Sequence, residues 1–143
     1  MKISHRQLIL ALTLGSLGSL ASAVEIVVIV NPKNATASLT ADQVEQIFLG
    51  KTTILPGGGN AAAVDQTDGS ALRNEFYQKG AGKSAAQVKA IWSRLIFSGR
   101  GLPPKTMGSS VDVKKFVASD PDAIGYIERS AADASVKVVL SLP

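Results

Sequence analysis

Apolar positions along the chain follow two alternating periods. Ile26-Val27-Val28-Ile29-Val30, entered from Glu25, is an unbroken β-branched run. A run with no polar face suits a strand buried on both sides, as in a parallel α/β sheet. Glu25–Val30 is therefore expected as a central strand, closed by Asn31-Pro32. The period then changes. Thr40 with Gln43 reads as a capping box, and Val44, Ile47 and Phe48 follow at helical spacing up to Gly50. Residues 52–60 read as loop, and Ala61–Val64 as a second, weaker strand.

The alternation continues to the end of the chain. Leu72, Phe76 and Tyr77 form the inner face of a helix that Asp68 can cap and that Gly80-Ala81-Gly82 ends. Ser84 with Gln87 is another capping box, ahead of the stripe Val88, Ile91, Trp92, Leu95 and Ile96. Trp92, Phe48, Phe97 and Phe116 read as core. Residues 99–104 break the pattern with glycines and prolines. Ser109 or Ser110 caps a helix carrying Val113, Phe116 and Val117, which ends at Asp120-Pro121. Ile124–Ile127 and Val136–Leu140 read as short strands. Strands alternating with helices give an α/β class.

Residues 1–23 read differently. Lys2, His5 and Arg6 precede an apolar run from Leu8 to Leu20, and Ala21-Ser22-Ala23 is a small-residue cleavage pattern. This is a secretory signal peptide, since the run falls short of the roughly 18 residues of a membrane span. Cleavage after Ala23 leaves one domain, residues 24–143. Free periplasmic residence is expected, for no cysteine follows the cleavage site. The Asn34-Ala35-Thr36 sequon matters only in a eukaryotic secretory pathway.

Removal of the leader takes the 15 basic side chains to 13, against 11 acidic ones. So balanced a charge carries no nucleic-acid footprint. His5 is the only histidine and there is no cysteine. That excludes Ser-His-Asp and Cys-His mechanisms and the usual zinc and copper ligands. No catalytic residue, metal or cofactor is expected. Asp65, Asp68 and Glu75 form the only carboxylate group with a claim to acid–base work, and nothing supplies a nucleophile.

The remaining chemistry lies at two helix starts. Asp68-Gly69-Ser70 reads as a tight turn between a strand and a helix, and Met107-Gly108-Ser109-Ser110 precedes another helix. Such turns collect unpaired amides, a hydroxyl and the positive end of the helix dipole, a combination that binds anions. Each turn alone is a common capping arrangement; convergence of the two would hold a small oxyanion. Arg73, Arg94 and Arg100 read on their own as solvated charges.

Four stretches resemble the periplasmic phosphate-binding proteins of ABC transporters, within the type 2 periplasmic-binding-protein superfamily. They are Ile29–Pro32 with Leu39–Lys51 (ending Ile-Phe-Leu-Gly-Lys), Gln66–Leu72, Trp92–Gly99, and Ala123–Ile127 with its Ile-Gly-Tyr. The resemblance implies a single lobe of that fold, with a mostly parallel or mixed sheet flanked by helices. Full-length members clamp phosphate between two lobes, and this chain has room for one. Their phosphate loop reads Arg-Ser-Asp-Gly-Ser-Gly-Thr; here Gln66 stands in the arginine's place and Ala71-Leu72 replace Gly-Thr. Asp68, Gly69 and Ser70 carry over directly.

The expected ligand set is the turn amides of Gly69, Ala71 and Leu72, the Ser70 hydroxyl, Asp68 as cap or as acceptor from a protonated phosphate oxygen, Arg73 as a substitute cation, and Ser109 and Ser110 as a second donor cluster. The expected function is an exported, non-catalytic binder of phosphate or a similar oxyanion, partnered by a membrane permease or sensor. The alternative is an interaction module that kept the lobe, lost the ligand and contacts a sensor, a channel or its own copy as a homodimer.

Overall fold

A computed structural model describes residues 24–143. The expected leader, residues 1–23, lies outside the described residues. The elements in chain order are β1 (Ile26–Val30), α1 (Ala41–Phe48), β2 (Ala62–Gln66), α2 (Ala71–Ala81), α3 (Ala85–Phe97), β3 (Lys105–Met107), α4 (Ser110–Ser119), β4 (Ala123–Glu128) and β5 (Lys137–Leu142), with a 3₁₀ turn at Arg129–Ala131. The strands form one sheet in the order β3-β2-β4-β1-β5. Among the described residues, no helix is long and apolar enough to cross a membrane.

The β1 run is fully buried, as its unbroken apolar sequence requires. Ile26, Val28 and Val30 pack with α1 and α2 on one face, through Phe48, Phe76 and Tyr77. Val27 and Ile29 face the other way, onto Val113 and Val117 of α4. The strand's direction differs from the expectation. β1 pairs antiparallel with both β4 and β5, whereas β2 is parallel to both β3 and β4. The sheet is mixed, and β1 alone runs against the rest. Burial on both faces reports helix layers above and below a strand, and is indifferent to its direction.

The capping boxes at Thr40–Gln43 and Ser84–Gln87 both form. The stripe on α3 is less buried than its periodicity predicts. Only Val88 is fully covered; Ile91 and Trp92 are half-buried, and Phe97 is 91% exposed. α3 leans on α2 rather than lying on the sheet, so most of its apolar face has no second layer to meet. Trp92 is nonetheless anchored, its indole Nε1 donating to the Phe48 carbonyl at 3.0 Å. Phe116 is likewise only partly buried, against the second core cluster. β2 runs two residues beyond the expected strand, and β3 was not expected at all.

Gly125 sets how closely α4 approaches the sheet. A Cβ built there would lie 2.6 Å from Val113 Cγ1 and 3.4 Å from Val117 Cγ2. A β-branched valine on a helix has little freedom to yield. Gly125→Ala should therefore destabilise the fold by about 1–3 kcal/mol, the scale of core overpacking. Urea unfolding checks this, and the Val113→Ala background should relieve most of the loss. An equal loss in both backgrounds would show that the contact is not the cause.

Candidate functional site

β2 and β3 are adjacent and parallel, so their carboxyl ends lie side by side. The chain leaves β2 through Asp68-Gly69-Ser70 into α2, and leaves β3 through Gly108-Ser109 into α4. Both helices thus start at the same edge of the sheet, the position at which open α/β sheets bind ligands. Thr67 N donates to the Met107 carbonyl at 3.1 Å, carrying the pairing up to the base of the two turns.

Gln66 joins the two helix starts. Its Nε2 donates to Ser110 Oγ at 3.2 Å and to the Tyr126 carbonyl at 3.3 Å. Its Oε1 accepts from Ser70 Oγ at 3.5 Å, a long contact. The orientation of the amide follows from chemistry, because a carbonyl can only accept. Gln66 is 4% exposed, so every polar atom of its side chain is used inside the protein. Gln66 is therefore a neutral clasp between Ser70, Ser110 and β4.

Next to it lies a buried carboxylate. Asp65, 2% exposed, accepts from the Tyr77 hydroxyl at 2.6 Å, from the Tyr126 hydroxyl, and from the backbone N–H of Gln66 at 2.8 Å. Arg73 Nε approaches the same carboxylate at 3.4 Å, and Arg73 Nη1 reaches Asp68 at 3.2 Å. The guanidinium also lies over the Tyr77 ring, 5.3 Å from its centre. Burial works against the charge on Arg73, but Asp65 and its hydrogen bond override it, and the net shift in pKa is upward. Burial, then the charge of Asp65 and the hydrogen bonds to it, push both phenols well above their ordinary range.

The expected ligand residues are thus found in several roles. Ser70, not Asp68, is the N-cap of α2; its Oγ accepts from Arg73 N at 3.3 Å. Asp68 points instead to Arg73 and stays largely exposed. Gly69 has φ +86°, a left-handed conformation that side chains disfavour. Ala71 and Leu72 are the first two helical residues, whose amides have no intrahelical acceptor. Among the described residues neither these amides nor that of Gly69 has a carbonyl partner outside the helix. Ser109 caps α4 by accepting from Asp112 N, which leaves Ser110 as the hydroxyl turned to Gln66. Arg73 is neither a free cation nor a solvated one, being paired with two carboxylates. Arg94 and Arg100 are exposed.

Sequence reasoning missed the Asp65–Tyr77–Tyr126 cluster. The sequence marks Tyr77 as a core position and groups Asp65 with Asp68 and Glu75, not with the tyrosines. The available signal was an acid continuing an apolar strand. A cleft of about 280 Å³ opens beside the turn, lined by Asp68, Arg73, Lys89, Trp92 and Pro103 among others. A second cleft, about 420 Å³, lies at the opposite end of the sheet between the Lys33–Leu39 loop, the Leu55–Asn60 loop and Asp122. Its polar groups serve local structure: Gln43 closes the α1 capping box, and Asn34 ties its own loop to Pro121.

No protein-family model and no curated protein matches the chain. Solved structures do. One, from Clostridium perfringens and described as a phosphate ABC transporter substrate-binding protein with bound phosphate, is similar with TM-score 0.65 and 26% identity over 81% of this chain and 45% of its own. An ABC-type phosphate transport receptor from Vibrio cholerae gives 0.63 and 21%, over 81% and 46%. PstS from Borrelia burgdorferi gives 0.57 and 12%, over 81% and 47%. The chain spans about half the length of each. Its structural neighbours are phosphate ABC transporter substrate-binding proteins, and its mixed sheet flanked by helices corresponds to one lobe of that fold.

Tyr77 and Tyr126 are the only tyrosines, so tyrosinate absorbance reports on this cluster alone. Both folded-state values are raised, so the stability they contribute is complete below about pH 10, the ordinary tyrosine value, and falls as pH rises above it. Tyrosinate should appear only together with loss of the fold. Ionisation near pH 10 in a protein still folded would contradict this cluster. Arg73→Ala takes the cation from a buried carboxylate that keeps three hydrogen bonds and should lower stability by about 1.5–3 kcal/mol, read by urea unfolding; a loss below 1 kcal/mol would show that the pairing is incidental.

Proposed function

We propose that the chain is an exported, non-catalytic binding protein for phosphate or a similar small oxyanion. The Gln66 clasp carries this reading: it draws the starts of α2 and α4 together at the carboxyl ends of two parallel strands. Unpaired amides at Gly69, Ala71 and Leu72, with Ser110 beside them, would donate to the ligand. Asp68 and Arg73 largely cancel in charge, so the backbone supplies most of the attraction and affinity should be modest. Phosphate is named for the structural neighbours in their descriptions. The leader pattern in residues 1–23 supports export to the periplasm, and an ABC-type permease is the partner such neighbours imply.

One observation favours a second reading, an interaction module that no longer holds a ligand. Phe97 at the end of α3 and Leu102 in the loop after it are 91% and 87% exposed, and Arg73 is already paired. A sensor, a channel or a second copy could cover that surface.

Calorimetry with inorganic phosphate and sulfate separates the two. The binding reading expects heat of binding at millimolar ligand or below. Ser110→Ala should weaken it by about 1.5–3 kcal/mol, the worth of a hydrogen bond to a charged group. Gly69→Val should weaken it more, by forcing the turn out of its left-handed conformation. Ser70→Ala should mainly cost the helix cap, about 1 kcal/mol of stability. No bound oxyanion at millimolar concentration would remove the binding reading and leave the interaction module.

A further inference from the structure

α3 carries apolar residues on the side that faces the protein and on the side that faces away. Val88, Ile91 and Trp92 pack against the larger core. Ala86, Ala90 and Phe97 are exposed on the outer side. A surface helix ordinarily sets polar and charged residues there. The charges that α3 does expose, Lys89 and Arg94, are both positive. From residue 76 to residue 111 the chain has six basic side chains and no acidic one. Asp65 and Asp68 line the cleft that Lys89 also lines, and Arg73 pairs with both. Arg94 and Arg100 are exposed and have no carboxylate partner among the described residues.

The exposed end of α3 is a built feature. Gly99 N–H donates to the Ile96 carbonyl at 3.1 Å and Arg100 N–H to the Leu95 carbonyl at 2.9 Å, the pair of bonds that closes a helix in a Schellman turn. The loop beyond is seated on the same helix: a Cβ at Gly101 would lie 3.6 Å from the Trp92 ring and 4.0 Å from Leu95 Cβ. Leu102 follows, as fully exposed as Phe97 is. Arg94 stands three positions before Phe97, so the two are neighbours on the helix surface. The fold thus holds an aromatic ring and a leucine out in water, with an unpaired guanidinium before and after the ring.

We infer that this end of α3 docks on an anionic phospholipid surface. Phe97 and Leu102 enter the boundary between headgroups and acyl chains, and Arg94 and Arg100 stay at the level of the phosphates, the division of labour of interfacial amphipathic helices. A bilayer presents charge of one sign over an apolar interior and adapts to whatever shape is laid on it. That suits two projecting side chains among cations. Two copies of the chain joined through this face would instead bring their arginines together, like charge on like. The inference goes beyond the oxyanion reading and makes no use of the Gly69–Leu72 turn.

Cosedimentation with lipid vesicles tests it. The protein used is residues 24–143, which hold the whole sheet and both core clusters; the apolar run of residues 8–20 would bind lipid by itself. Vesicles of phosphatidylglycerol mixed with phosphatidylcholine should bind the protein about tenfold or more tighter than phosphatidylcholine alone, and added salt should weaken the binding. Phe97→Ser with Leu102→Ser changes two exposed side chains, should leave urea unfolding unchanged, and should weaken vesicle binding about tenfold or more. Arg100→Glu should weaken it by a similar factor. Lys33→Glu makes the same change of charge at the opposite end of the sheet and should have little effect. Equal binding to both kinds of vesicle, binding that survives the double serine variant, or an equal loss in Lys33→Glu would overturn the inference. No binding to anionic vesicles would overturn it too, and leave the exposed end of α3 to an acidic protein partner. Each of these results leaves the oxyanion reading to its own calorimetry.

Discussion

A buried carboxylate needs partners on every side, and Asp65 draws the end of the sheet together to obtain them. An ionised carboxylate moved out of water is costly unless hydrogen bonds and an opposite charge replace its hydration. Asp65 receives two phenols, a backbone amide and a guanidinium, contributed by β2, α2 and β4. Those bonds fix Tyr77 on α2 and Tyr126 on β4, whose rings pack with Phe76 and Phe48 in the larger core. They also hold the Arg73 stem, and with it the first turn of α2. The polar cluster and the apolar core therefore share side chains, and neither can shift without the other.

The next residue along the strand points the opposite way, and completes the site. Gln66 alternates with Asp65, so while one side chain organises α2 the other reaches Ser110 at the start of α4. Strand direction makes this possible. β3, β2 and β4 run together and deliver two helix N-termini to one edge, while β1 runs against them and buries the core. A neutral amide suits the clasp: it gives to Tyr126 and Ser110 and accepts from Ser70, which a guanidinium, with no acceptor, cannot do. Gln66 thus brings no charge to the two turns and fixes the spacing between them.

Much of the scaffold was legible before the structure, because local chemistry decided it. The Thr40 and Ser84 caps, the buried β1 run and the inner face of α2 depend on short-range pattern, and each is present. The direction of β1 was not legible, since burial on both faces is common to parallel strands and covered antiparallel ones. Nor was the exposure of α3, whose stripe looks like any core helix until its neighbours are known. The candidate site was half legible. Gly69, Ser70 and Ser110 carry helix-start signals in the sequence. The bonds that unite them run between Gln66 and Ser110, and between Asp65 and Tyr126, across 44 and 61 residues of chain. Only the sheet topology brings those residues together. The same holds for Arg73, which read alone is a solvated charge and in the fold is a paired one.

The account rests on the two helix starts acting as one anion site, and amide chemical shifts test that residue by residue. Titration of isotope-labelled protein with inorganic phosphate should move the amides of Gly69, Ala71, Leu72, Ser110 and Val111 together, with a single dissociation constant. Shifts confined to one of the two turns, or centred on the Lys33–Leu39 cleft at the far end of the sheet, would contradict it.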